Sequence, residues 1–329
     1  MELNNRFSLG FFPTPLTELK NLSKIYSSCN LFIKRDDHTG LASGGNKTRK
    51  LEYLIQEAIE QGCDTVITAG AQQSNHCRQT AAACAIANLK CHLVLGGEKP
   101  EIYNGNILLS ELLGAKIHFT GENRKGEDIE QIYSSLKLQG ANPYIIPYGG
   151  SNITGALGYV NAVKELQEQL TGRNLKLDYI FFASSSGGMQ AGLTLGKMLY
   201  DLEAELIPIN IDKNETAGQK LEEVIFGIVN QGKEMFQINK AFDYIDIKLI
   251  KDYDKAGYGV VSSNEIEAMN LLAKTEGILL DPVYTARAFY GMMDYLNKRL
   301  LPEKSNVLFW HTGGLPAIFY YSAEYMMKI

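Results

Sequence analysis

Short apolar runs alternate with longer amphipathic stretches along nearly the whole chain, and this alternation limits the possible folds more than any other feature. LFIKRD at 31–36 reads as a strand, and NKTRKLEYLIQEAIEQG at 46–62 as a helix stopped by Gly62. TVITAG at 65–70 reads as a buried strand, SNHCRQTAAACAIAN at 74–88 as a helix, CHLVLGG at 91–97 as a strand and NILLSELLG at 106–114 as a helix. Further strands are expected in AKIHFT (115–120), PYIIPYGG (143–150), LDYIFFASS (177–185), ELIPINI (205–211), FDYIDIKL (242–249) and SNVLFWHTGG (305–314). The runs are continuous in Ile, Val and Phe rather than strictly alternating, as in strands covered on both faces. Repeated βα units of this kind predict an α/β protein with mostly parallel sheets flanked by helices.

Charge and composition narrow the function classes. Lys and Arg number 32 against 37 Asp and Glu, a net charge of −5, so no basic surplus points to nucleic acid. No apolar run reaches the roughly 18 residues of a membrane span. The N-terminal MELNNRFSLGFFPTP lacks a basic segment followed by an apolar one, which is not the pattern of an export signal and sets a cytoplasmic expectation. The five cysteines (Cys29, Cys63, Cys77, Cys84, Cys91) are accordingly expected to be reduced thiols. The seven-residue spacing of Cys77, Cys84 and Cys91 raises a metal or redox reading. With no CxxC pair, these residues are better read as small buried hydrophobes. The polar stretch GENRKGEDIEQ at 121–131, mixed in sign, is expected to be a solvated loop and helix start.

Several segments carry candidate chemistry. GLASGGNKTRKLEYL at 40–54 nearly matches a nucleoside-triphosphate loop, with Gly40 and Gly45 correctly spaced, but Asn46 stands where that loop needs lysine. Lys47 instead opens a helix after glycines. A helix N-terminus disfavours a further positive charge, which suits a lysine that must be neutral to attack an aldehyde. Read alone, a lysine in this position is more often a surface residue, here beside Arg49 and Lys50.

In AGAQQSNHCRQTAAA at 69–83, the five residues Gln72, Gln73, Ser74, Asn75 and His76 are polar, consecutive and set in an apolar context at a helix start. Capping by Ser74 accounts for one of them, and the helix end suits a carboxylate or ring oxygen. His76 taken singly is more often structural. In FFASSSGGMQAGLTLG at 181–196, a strand runs through Ser184, Ser185, Ser186, Gly187 and Gly188 into a helix. That is an anion cup better matched to a monophosphate than to a dinucleotide. Tyr258 in AGYGVVS and Tyr284 in DPVYTAR lie in loops punctuated by Gly or Pro, and Thr285 and Thr312 add neutral hydroxyls. His311 in FWHTGGLPA serves either a site or a strand end.

GGNKTRKLEYL, TAGAQQSNHCRQTAA, ASSSGGMQAGL, AGYGV, DPVYTAR and HTGGLPA, preceded by PTPL at 13–16 and IKRDD at 33–37, occur in an order that resembles the D-cysteine desulfhydrase and 1-aminocyclopropane-1-carboxylate (ACC) deaminase family. The likeness runs from about residue 7 to the C-terminus. It implies a two-domain, tryptophan-synthase-β-like fold (pyridoxal-phosphate fold type II). Residues 46–160 would form a small domain, and 1–45 plus 161–329 a large one, with pyridoxal 5′-phosphate in the cleft between them and a homodimer as the assembly.

By resemblance, Lys47 is the Schiff-base lysine, Asn75 meets the cofactor 3′-oxygen, and Ser184, Ser185, Ser186, Gly187 and Gly188 hold the phosphate. Asn46, Tyr284, Thr285 and Thr312 complete the cofactor set. Gln73, Ser74, Asn75, His76, Tyr258 and Tyr284 face an amino-acid substrate, with Ser74 on its carboxylate or in proton transfer and a tyrosine as general acid.

ACC deaminases carry glutamate after the tyrosine of DPVY, whereas this chain has Thr285, as in D-cysteine desulfhydrases and L-cysteate sulfo-lyases. A carboxylate facing the ring nitrogen keeps it protonated and electron-withdrawing, and a neutral hydroxyl leaves a weaker sink, better matched to β-elimination than to cyclopropane opening. The resemblance therefore implies conversion of D-cysteine to pyruvate, ammonia and hydrogen sulfide. ACC deamination, L-cysteate sulfo-lyase activity and non-catalytic cofactor binding stand as alternatives. Ser185 replaces a usual glycine, Met189 a usual threonine, and Leu315 a usual alanine or threonine.

Overall fold

The computed structural model describes residues 3–212 and 218–327. In chain order the strands are β1 (Leu16–Glu18), β2 (Asn30–Arg35), β3 (Thr65–Ala71), β4 (Lys90–Gly96), β5 (Lys116–Phe119), β6 (Pro143–Ile145), β7 (Tyr179–Ser184), β8 (Glu205–Asn210) and β9 (Asn306–His311). They form two sheets, ordered β1-β2-β9-β7-β8 and β5-β4-β3-β6. Every pairing is parallel except that of β1 with β2. β3 is buried from Thr65 to Gly70 and β9 from Val307 to His311, so the continuous apolar runs reflect cover on both faces. The chain is an α/β protein with mostly parallel sheets flanked by helices.

The four-stranded sheet draws its strands from residues 65–145, and the five-stranded sheet from 16–35 and 179–311. The Ile153–Gly172 helix packs against both the Lys47–Glu60 helix and the Gly188–Leu199 helix, and so spans the region between the sheets. The expected division at 160–161 falls inside this unbroken helix. Cys77, Cys84 and Cys91 join one apolar cluster with Leu93 and Ile107.

Two expectations fail. FDYIDIKL forms no strand: Asp243 and Asp246 cap a short 3₁₀ turn over Tyr244–Asp246, whose residues are exposed. Asp243 and Asp246 close the turn, while Phe242 and Ile247 pack against the apolar cluster around Ile225 and Val229. The 121–131 stretch does end in a helix start at Ile129, but Arg124 and Lys125 are mostly buried and ion-paired to Asp212 rather than solvated.

A buried ionic network locks the Lys47–Glu60 helix to the five-stranded sheet. Arg49 donates to both oxygens of Asp36 at 2.9 and 2.8 Å, and to both oxygens of Glu165 at 2.9 Å each. Lys34 pairs with Glu165, while Tyr159 and the Trp310 indole donate to Asp36 at 2.9 and 2.8 Å. These residues come from β2 and the turn after it, the two helices and β9. Burial raises the carboxyls of Asp36 and Glu165, but Arg49 and Lys34 more than offset it and hold both below the usual range. Removing one partner of such a pair leaves a desolvated charge behind. Asp36→Asn is therefore expected to destabilise the protein by about 3 kcal/mol in urea unfolding. A loss below about 1 kcal/mol, typical of a surface pair, would show that the network is not what anchors the helix.

Candidate active site

The C-terminal ends of β3 and β7 and the N-terminal ends of three helices converge on one cavity, with about 50 Å³ of room for water-sized molecules. Lys47, Ser74, Asn75, Ser184, Ser185 and Tyr284 are among the residues that line it. This is the usual ligand position for parallel sheets.

Lys47 is the first residue of its helix. The turn before it is fixed by Asn46 N–H donating to the Thr312 carbonyl at 3.0 Å and Gly45 N–H to the Thr39 hydroxyl at 2.8 Å. The amine donates to Asn46 Oδ1 at 3.1 Å. Burial lowers the amine pKa to about 8, and the Asp281 carboxylate pulls the other way. Desolvation is thus the larger cause where the sequence pointed to the helix end.

Ser74 caps the Asn75–Ala87 helix, its hydroxyl accepting from Cys77 N–H at 3.2 Å. Asn75 Oδ1 accepts from Asn106 at 2.9 Å and Arg78 at 3.2 Å, which leaves the amide NH₂ as the group offered to the cavity. His76 also lines the cavity and pairs through Nε2 with the Thr68 hydroxyl at 2.9 Å. Burial, with the nearby Lys47 and Lys50, keeps its imidazole neutral. Gln73, expected on the substrate, is committed elsewhere: it donates to the Asn104 carbonyl at 3.0 Å and accepts from Asn106 N–H at 2.8 Å. It holds that turn and lies outside the cavity lining.

The Ser184–Gly188 segment runs from β7 into the Gly188–Leu199 helix, with Gly187 at φ +84° as the cap. A Cβ at Gly188 would lie 2.8 Å from both the Lys50 Nζ and the Ser151 Oγ, so only glycine lets the helix start approach them. Ser184 donates to Gln190 at 2.7 Å, and the Ser186 hydroxyl accepts from Ser151 at 2.9 Å. Lys50, which the sequence reading passed over, meets this loop from the opposite side. Its ammonium is buried and bonds neutral oxygens, the Gly149 carbonyl at 3.0 Å and the Ser151 hydroxyl at 3.3 Å. Burial, with Lys47 nearby, pushes its pKa well down. A desolvated amine facing a helix N-terminus and a Ser/Gly turn is a site made for an anion. Its position three residues after Lys47, on the same helix face, was the available signal.

Tyr284 lines the cavity, whereas Tyr258, expected on the substrate, lies outside the lining and reaches it only through Tyr284, the two hydroxyls 2.6 Å apart and the rings meeting edge to face at 5.9 Å. Burial raises both phenols well above their ordinary range, so both carry protons at neutral pH. Thr312 lines the cavity. Thr285 does not: its hydroxyl donates to Asp281 Oδ1 and accepts from Asp281 N–H, both at 2.7 Å. Asp281 also takes the backbone N–H groups of Val283, Tyr284 and Thr285 at 2.8–2.9 Å. Thr285 therefore fixes the loop that carries Tyr284. Met189 lines the cavity and receives Asn46 Nδ2 on its sulfur at 3.7 Å.

A lowered lysine pKa means that the neutral, nucleophilic amine accumulates as pH rises through the lowered value rather than through 10.5. Reductive methylation of Lys47 in ligand-free protein, followed by peptide mass mapping, is expected to be half-maximal near pH 8. A midpoint near that of a solvated lysine would contradict the desolvated site.

The sequence matches the family described as "Pyridoxal-phosphate dependent enzyme" over residues 7–313. It is 39% identical over 322 residues to a Pyrococcus abyssi protein named "Putative 1-aminocyclopropane-1-carboxylate deaminase", an alignment covering 97% of this chain and 94% of the relative. The fold superposes on a solved ACC deaminase homologue with a TM-score of 0.90 at 35% identity, covering 99% of this chain and 96% of the other. A hydrogen sulfide-producing enzyme from Fusobacterium nucleatum shares the fold alone, with a TM-score of 0.64 at 19% identity over 93% of this chain and 94% of that one. The cavity fits the cofactor these matches imply. Lys47 offers an amine whose pKa burial lowers to about 8, Lys50 and the Gly188 helix start offer a phosphate site, and Asn75 offers an amide donor in the same lining. The chain belongs to the pyridoxal-phosphate dependent enzyme family and is a homologue of the ACC deaminases.

Proposed function

We propose that the protein eliminates a β-leaving group from a small D-amino acid, with D-cysteine giving pyruvate, ammonia and hydrogen sulfide. Pyridoxal phosphate, which Lys47, Asn75, Lys50 and the serines after β7 would hold, would supply an aldehyde for the substrate amine and an electron sink. Ser74 and Asn75, at the start of their helix, orient the substrate carboxylate. The Lys47 amine, lowered by burial, takes the Cα proton. Tyr284, backed by Tyr258, gives its phenolic proton to the sulfur as the Cβ–S bond breaks.

The observation that carries this reading is the Tyr284 phenol in the same cavity as Lys47, hydrogen-bonded to Tyr258 outside the cavity lining, with no carboxylate at position 285. The names of the relatives favour ACC deamination as the second reading. Thr285, closed onto Asp281, offers no carboxylate to a ring nitrogen, and this weighs against cyclopropane opening. L-Cysteate is a third substrate of the same chemical kind. The reading includes a homodimeric assembly and no nucleic-acid partner.

The purified holoenzyme is expected to release sulfide and pyruvate from D-cysteine with a higher kcat/KM than it shows for 2-oxobutyrate formation from ACC or sulfite release from L-cysteate. Lys47→Ala is expected to reduce every turnover to background. Preferred consumption of ACC, or turnover that survives in Lys47→Ala, would overturn the reading.

A further inference from the structure

Arg124, from the polar stretch at 121–131, reaches the tyrosine pair from the other sheet. It follows β5, on the four-stranded sheet, and donates at 2.7 Å to Asp212, just past β8 on the five-stranded sheet. The same guanidinium donates to the Tyr148 hydroxyl at 3.3 Å and stands 4.4 Å from the centre of the Tyr258 ring. Lys125 adds a second ion pair to Asp212 at 3.1 Å. The approach is built in: a Cβ on Gly96, at the end of β4, would lie 2.5 Å from the Arg124 Cβ. From beneath, Arg287 fixes the backbone of the Tyr258 loop through the Gly257 carbonyl at 2.9 Å and the Val260 carbonyl at 3.0 Å. The loop is thus held by one arginine and the ring by another.

We propose that Arg124 is the positioning residue of the Tyr258–Tyr284 pair, holding Tyr258 so that the Tyr284 proton is presented to a leaving group that must be protonated as it departs. The inference rests on the β-elimination reading above. In that step the Cα–H electrons become the Cα=Cβ bond, the Cβ–S pair goes to sulfur, and the Tyr284 proton joins it to give the free thiol. The Cα proton is left on Lys47. Tyr258 then returns a proton to Tyr284 across the 2.6 Å contact and is itself reprotonated from solvent. A cation against the Tyr258 face stabilises the transient phenolate by charge and holds the ring by cation–π attraction. A purely structural ion pair between the sheets would slow all substrates alike.

The test compares D-cysteine with β-chloro-D-alanine, from which chloride departs without a proton, on the holoenzyme. Arg124→Gln is expected to lower kcat on D-cysteine about tenfold or more, while its loss on β-chloro-D-alanine is at least about fivefold smaller. Gly96→Ala, which displaces Arg124 without removing it, is expected to follow Arg124→Gln, and Arg124→Lys to recover part of the rate. Equal losses on both substrates, or none on either, would overturn the proposal. If wild-type enzyme eliminates neither substrate, the function reading has failed, and the positioning claim is read from fluorine NMR of 3-fluorotyrosine-labelled protein. Arg124→Gln is then expected to shift the Tyr258 and Tyr284 signals, and unmoved signals would overturn it.

Discussion

The rest of the site depends on the double clamp that Arg49 makes on Asp36 and Glu165 inside the protein. Lys47 stands two residues before Arg49, at the first turn of the same helix. By tying that helix to β2, β9 and the Ile153–Gly172 helix at once, the clamp fixes where the reactive amine can stand relative to the phosphate loop after β7. Four ionisable groups and two aromatic donors share the network, so their hydrogen-bonding capacity is met without water.

The cavity is an electrostatic compromise. Lys47 and Lys50 lie on one helix face, both lowered by burial, and the charge of Lys47 lowers Lys50 further. Asp281 opposes this for Lys47, while its own oxygens are occupied by backbone N–H groups and the Thr285 hydroxyl. The outcome is a nucleophilic lysine at one end and an unneutralised anion site at the other. His76 stays neutral between them because its charged form would face two amines without water. The phenols opposite are protonated for the same reason of burial. Acid, base and anion site are therefore separated by environment rather than by residue type.

Much of this was legible in the sequence because it is local. The strand and helix periods of β3, β4, β7 and the helices after them follow from apolar spacing, and the Gly-rich turns before Lys47 and Gly188 announce their own geometry. What was not legible depends on partners brought from afar. Gln73 belongs to a run of five polar residues, but the Asn104–Asn106 turn takes it out of the cavity. Thr285 reads as a site hydroxyl until Asp281, four residues earlier, claims it. Lys50 and Arg124 read as surface charge, since nothing in their neighbours reveals Ser151, Asp212 or the Tyr258 ring. FDYIDIKL carries strand-forming residues, but its acids cap a turn at the surface instead.

The central claim is that Lys47, of all the lysines, is the residue joined to the cofactor aldehyde. Borohydride reduction of the holoenzyme followed by peptide mass mapping tests it directly. The account predicts a pyridoxyl tag on Lys47 and none on Lys50, whose amine faces the phosphate loop. A tag on Lys50 or any other lysine, or no tag at all, would contradict it.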